Sequence, residues 1–81
     1  MKVRVQLYSQ LREVMGRSEV EVDLPNGATV ADLLEQLYRE NAALRARDKS
    51  ILVGIGLEFV DRTHELSSDD EVALMPPVQG G

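Results

Sequence analysis

Thr29-Val30-Ala31-Asp32-Leu33-Leu34-Glu35-Gln36-Leu37-Tyr38 is the longest stretch of this chain with a helical period. Val30, Leu33, Leu34, Leu37 and Tyr38 fall at i, i+3, i+4, i+7 and i+8, which puts five apolar side chains on one side of a helix of about three turns. Thr29 and Asp32 form a capping-box pattern at its start, with Asp in place of the more usual Glu or Gln. A helix with a single apolar stripe has to lay that stripe on another surface.

The flanking segments offer that surface as strands. Before the helix, Val3, Val5 and Leu7 alternate with Lys2, Arg4 and Gln6, and Val20, Val22 and Leu24 alternate with Glu19, Glu21 and Asp23. Both runs have the period of a half-buried strand, and the acids of the second mark it as an edge. Between them Ser9 is placed to cap a short helix or ordered turn carrying Leu11, Val14 and Met15, which Gly16 stops. Pro25-Asn26-Gly27 is a turn. After the main helix, Asn41 to Lys49 is helix-compatible but poorly periodic and is expected to be a frayed extension and loop. Ile51-Leu52-Val53-Gly54-Ile55 reads as a strand buried on both faces. Gly56 turns a hairpin into the short strand Glu58-Phe59-Val60, and Leu66 is an isolated anchor between two turn-rich segments. Glu71 to Met75 is the last strand, ended by Pro76-Pro77.

Two hairpin-like pairs flanking one crossover helix make an α+β arrangement. It fits the β-grasp fold: a mixed sheet of about five strands, one main helix on one face, and the first and last strands parallel at the centre. The expected organisation is a single domain over residues 1–75 and an extended, flexible tail over 76–81.

Composition limits the chemistry such a domain can do. With 81 residues there is room for one thin core, not a deep enclosed active site. Without Cys there is no thiolate nucleophile, disulfide or thiolate metal site, and one His cannot build a cage. The net charge of −5 disfavours nucleic acid and anionic membranes as partners. No window approaches a membrane span and the first residues lack the apolar run of a signal peptide, so a soluble cytoplasmic protein is expected. His64 is expected in an exposed turn, Asp69-Asp70-Glu71 in a solvated turn, and Arg45, Arg47 and Lys49 on a wet helical face.

The end of the chain stands out against this background. Taking Gly at roughly 7% per position, two final glycines arise by chance in about half a percent of sequences. Here they follow a strand and a Pro-Pro break, which biases the segment to an extended, solvated form. Residues 76–81 reach roughly 20 Å at full extension, enough to thread a narrow channel in another protein. Glycine permits close backbone approach there.

The segment Asp70-Glu71-Val72-Ala73-Leu74-Met75-Pro76-Pro77-Val78-Gln79-Gly80-Gly81 resembles the C-terminal signature of the MoaD family, relatives of ThiS and of ubiquitin. Gln10-Leu11-Arg12-Glu13 and the overall length extend the resemblance. Gly56 stands where the family often has Asn, and Leu74 and Met75 replace aromatic residues often found there. The resemblance implies a sulfur carrier of molybdopterin synthase that binds no cofactor itself and is not an enzyme on its own. A MoeB-like partner would use ATP with Mg to adenylate the Gly81 carboxylate, and a sulfur donor relay would convert it to a thiocarboxylate. Inside the large, MoaE-like subunit this group would give its sulfur to precursor Z (cyclic pyranopterin monophosphate). Two other readings stay open: a ubiquitin-like modifier conjugated through Gly81, or a carrier for tRNA thiolation, thiamine or cysteine synthesis. A plain β-grasp interaction module is a further possibility.

A docking surface follows from the period of two. If Val3, Val5 and Leu7 face the helix, Tyr8 faces away, as do Ala73 and Met75. Parallel first and last strands then bring Tyr8 and Met75 together where the tail leaves, with Phe59 able to join them. The resemblance implies that this patch, with Pro77, Val78, Gln79 and Gly80, meets the partner enzymes. Arg12 is an additional polar candidate.

Overall fold

The computed structural model describes residues 1–77. Its elements are β1 (Lys2–Leu7), α1 (Gln10–Met15), β2 (Glu19–Asp23), α2 (Val30–Glu40), α3 (Ala42–Arg45), a 3₁₀ turn (Asp48–Ser50), β3 (Leu52–Ile55), β4 (Glu58–Phe59) and β5 (Glu71–Met75). The strands form one mixed sheet in the order β2-β1-β5-β3-β4. β1 and β5 run parallel, with Val5 beside Val72 and Leu7 beside Leu74, and the other pairs are antiparallel. This is the β-grasp architecture, with β2 on an edge as its acidic face implied.

The alternation expected for β1, β2 and β5 sends Val3, Val5, Leu7, Val20, Val22, Val72 and Leu74 into one buried cluster. All five residues of the α2 stripe join them. Burying a large aliphatic side chain contributes about 1.5–3 kcal/mol, so this sheet–helix contact dominates stability. The capping box at α2 is complete: the Asp32 N–H donates to Thr29 Oγ1 at 3.4 Å and the Thr29 N–H donates to Asp32 Oδ2 at 2.9 Å. The loop after β4 closes over the start of α2, where the Leu66 N–H donates to the Ala28 carbonyl at 2.8 Å and Leu66 is buried.

Three local expectations are corrected. Ser9 occupies the cap position of α1 but forms no side-chain cap; its φ of 55° lies in the left-handed region, and its carbonyl accepts from the Arg12 N–H at 3.1 Å. Residues 41–50 do not fray from α2. They fold as α3 and a separate 3₁₀ turn around Leu44, which is fully buried. One buried residue in ten leaves no period to read. β3 is not buried along both faces, because α2 covers just one side of the sheet: Val53 is sealed, while on the other side Leu52 is exposed and Gly54, without a side chain, is buried.

The segment 41–51 is held down by a polar tie. Arg62 donates to Asp48 Oδ1 at 2.8 Å, to the Asp48 carbonyl at 2.9 Å and to the Ile51 carbonyl at 3.1 Å. The Tyr38 hydroxyl also donates to Asp48 Oδ1.

Candidate functional site

The open face of the sheet divides along its strands. Continuing the parallel register past Leu7 and Leu74 sets Tyr8 beside Met75, and the Tyr8 N–H donates to the Leu74 carbonyl at 3.1 Å. On the other side of Met75 stands Leu52. In the next row Gln6 neighbours Ala73, Ala73 neighbours Gly54, and Gly54 neighbours Phe59. Tyr8, Met75 and Phe59, far apart in the chain, thus share one surface at the end where β5 leaves the sheet.

That surface is apolar and unusually bare. Phe59 is 68% exposed, Tyr8 46%, and Leu57 at the hairpin tip projects completely into solvent. The Tyr8 hydroxyl is turned along its own strand, donating to Gln6 Oε1 at 2.7 Å. Gly54 forms the floor: a Cβ there would stand 3.3 Å from Met75 Cε and 4.0 Å from Phe59 Cδ1. A depression of about 130 Å³ remains between Gly54, Leu57, Phe59, Ala73 and Met75. Contiguous exposed apolar surface of this kind marks interaction sites.

Leu52, Gly54 and Leu57 belong to this surface and were missed by sequence reasoning. The apolar run 51–55 hid the outward direction of Leu52, although its parity with Gly54, opposite to Val53, carried the signal. Arg12 is exposed on α1, whose Leu11 enters the core with Leu44. Pro76 and Pro77 leave the sheet beside the start of α1. Val78, Gln79, Gly80 and Gly81 lie outside the described residues.

The other end of the open face is charged. Arg4 pairs with Glu19 at 3.2 Å and with Glu71 at 3.4 Å, all three well exposed. The Tyr38–Asp48–Arg62 tie perturbs the acidity of two of its members. Burial first, then its bond to the Asp48 carboxylate, pushes the Tyr38 phenol well above its ordinary value. Hydrogen bonds from Tyr38 and Arg62 hold Asp48 below the usual carboxylate range. Among the described residues no group of three or more His, Asp or Glu side chains converges as a metal site, and no helix is long and apolar enough to cross a membrane.

Comparison with known proteins agrees with this geometry. The chain is 34% identical to the molybdopterin synthase sulfur carrier subunit of Chlamydomonas reinhardtii, covering 100% of both chains. It is 34% identical to the protein of the same name from Escherichia coli, covering 98% of this chain and 99% of that one. The crystal structure of SAMP1 from Haloferax volcanii superimposes with a TM-score of 0.87 at 34% identity, over 100% of each chain. The ThiS family model matches residues 5–81. With its sheet order, its open apolar face and nearly its whole length accounted for, the chain belongs to the ThiS family, in its MoaD-like branch.

Proposed function

We propose that this chain is the sulfur-carrier subunit of a molybdopterin synthase, with residues 1–75 as the docking domain and 76–81 as the reactive tail. The observation that carries the reading is the parallel pairing of β1 with β5, which brings Met75-Pro76-Pro77 out of the sheet beside the apolar end of its open face. A partner gripping that face with Phe59, Met75 and Tyr8 receives the tail at the same time. The names of the relatives support the same reading.

The chemistry is that of a carboxylate made electrophilic by another protein. The Gly81 carboxylate attacks the α-phosphate of ATP on the activating enzyme, giving an acyl-adenylate and releasing pyrophosphate. A persulfide sulfur displaces AMP, and a thiol reductant cleaves the resulting acyl disulfide to leave a thiocarboxylate. Its sulfur is a stronger nucleophile than the oxygen it replaces and adds to precursor Z in the large subunit. Hydrolysis of the acyl link returns Gly81 to a carboxylate. This is covalent catalysis divided among proteins.

Intact-mass analysis tests it. After incubation with ATP, Mg, the adenylating enzyme of the same organism and a sulfur donor, the C-terminal peptide should exchange one oxygen for one sulfur. The product should then convert precursor Z when mixed with the large subunit. Deletion of Gly81 should abolish both, and a tail that never becomes adenylated would sink the reading. A second reading, a protein modifier joined through Gly81 to lysines, is favoured by the likeness to SAMP1, a modifier by name. Isopeptide-linked Gly81 on cellular proteins, in place of sulfur on the tail, would select it.

A further inference from the structure

The chain has two asparagines, Asn26 and Asn41, and the fold treats them oppositely. Asn41 links α2 to α3. Its side-chain amide donates to the Leu37 carbonyl at 3.2 Å, its N–H to the Tyr38 carbonyl at 3.2 Å, and its own carbonyl accepts from the Leu44 N–H at 3.0 Å. The residue after it, Ala42, begins α3. Asn26 is exposed, as are Pro25 and Gly27 on either side of it. Among the described residues no hydrogen bond holds its side-chain amide or the Gly27 N–H.

The turn between β2 and α2 is closed by one bond, from the Ala28 N–H to the Pro25 carbonyl at 3.2 Å. Of its two central residues only Gly27 has a positive φ, 88°, the pattern of a type II turn. Open space surrounds it: a Cβ on Gly27 would meet nothing within 4 Å. With no side chain of its own, Gly27 lets its nitrogen swing toward the Asn26 carboxamide at little steric cost.

We infer that Asn26-Gly27 is a self-modification site, in which the Gly27 main-chain nitrogen is the nucleophile and the Asn26 carboxamide the group it attacks. The nitrogen gives its proton to hydroxide and adds to Asn26 Cγ. The new C–N bond closes a five-membered succinimide ring, and the carboxamide nitrogen leaves as ammonia. Water then opens the ring at one of its two carbonyls. Opening at the side-chain carbonyl leaves Asp at position 26. Opening at the main-chain carbonyl leaves an isoaspartyl linkage, in which the chain runs through Cβ and Cγ. In sum one amide is hydrolysed, with no oxidation and no cofactor.

The two products act differently on the fold. Both sides of the turn are pinned: the Leu24 N–H donates to the Met1 carbonyl at 2.8 Å, and the buried Ala28 accepts at its carbonyl from the Leu66 N–H at 2.8 Å. Just beyond, Val30 and Ala31 donate their N–H groups to the His64 and Arg62 carbonyls, both at 2.9 Å. An isoaspartyl linkage inserts one more main-chain carbon between these pinned points, which displaces Ala28 or the Thr29 cap. Asp in ordinary linkage adds a charge in solvent and leaves the path of the chain unchanged. Leu24 lies beside Met1, at the end of β1 opposite to the one where the tail departs, so neither product alters the apolar patch. The modification needs nothing from the proposed function.

Ageing the purified full chain at neutral pH tests the site. Tryptic peptides separate the two asparagines, Ser18–Arg39 holding Asn26 and Glu40–Arg45 holding Asn41. The first should gain about 1 Da, located at position 26 by fragment ions and labelled in part by isoaspartate methyltransferase. It should do so about tenfold sooner than the second, because Asn41 must first give up its hydrogen bonds. Asn26→Gln, which would have to close a larger ring, should stay unlabelled. The isoaspartyl fraction, separated by chromatography, should melt about 4–8 °C below the fresh chain, the shift expected for loss of one helix cap in a domain of this size. Freshly purified Asn26→Asp should melt with the wild type. Position 26 reacting no sooner than position 41 overturns the site, and an isoaspartyl chain that melts with the fresh one overturns its effect on α2.

Discussion

Under α2, the sheet presents Val3, Val5, Val72 and Leu74, all sealed from water; one residue along in each strand, the opposite face presents Arg4, Gln6, Ala73 and Met75, all at least partly in solvent. The two faces share backbone, register and twist, so their difference comes from side chains alone. The covered face holds the fold together. The open face has few stability duties, and that leaves it free to be apolar at the tail's end and charged at the other. A small domain can thus separate the residues that keep it folded from an exposed apolar surface that the fold does not need.

The comparison breaks most sharply in the core. Leu33→Ala, which opens a cavity where α2 meets the sheet, should cost about 2–5 kcal/mol in urea unfolding. If it costs no more than an open-face substitution, the two faces are not divided as described. Arg62→Ala removes the tie on residues 41–51 and should cost about 1 kcal/mol, less than buried charged hydrogen bonds would, because Arg62 and Asp48 both keep solvent contact. Thr29→Ala should cost about 1 kcal/mol by leaving the start of α2 uncapped.

The same tie gives the fold an acid limb. Asp48 is held below its ordinary range in the folded state, so its contribution is present above the unfolded value of about 3.9 and is lost as pH falls through the lower folded value. Urea melts from neutral to acid pH should show the stability gap between wild type and Asp48→Asn closing as the carboxylate protonates. The smallest effect on stability is expected on the open face. Phe59→Ala should change it by no more than about 0.5 kcal/mol while weakening association with the adenylating enzyme. A large loss of stability there would mean that Phe59 serves the fold.

Much of the architecture was legible from local pattern. The α2 stripe, the alternation of β1, β2 and β5, the Thr29–Asp32 cap and the turn at Gly56 each depend on residues a few positions apart. Reading failed where a segment carried too little repetition. Leu44 is the single buried residue of α3, and the run 51–55 was uniformly apolar although only one of its faces is covered.

The site divides along the same line. The amino-acid sequence by itself determined which side chains lie on each face of a strand, that the chain ends in Pro-Pro and Gly-Gly, and that its own side chains offer neither thiolate nor His cage, because these follow from period and composition. Only the tertiary structure decided that Leu52 stands beside Met75, that Phe59 closes over Gly54, and that Arg47 lines a cleft with Pro76 and Pro77. Periodicity reports which way a side chain points within its own segment. Which neighbours it meets is set by hydrogen-bond register and packing between segments distant in the chain.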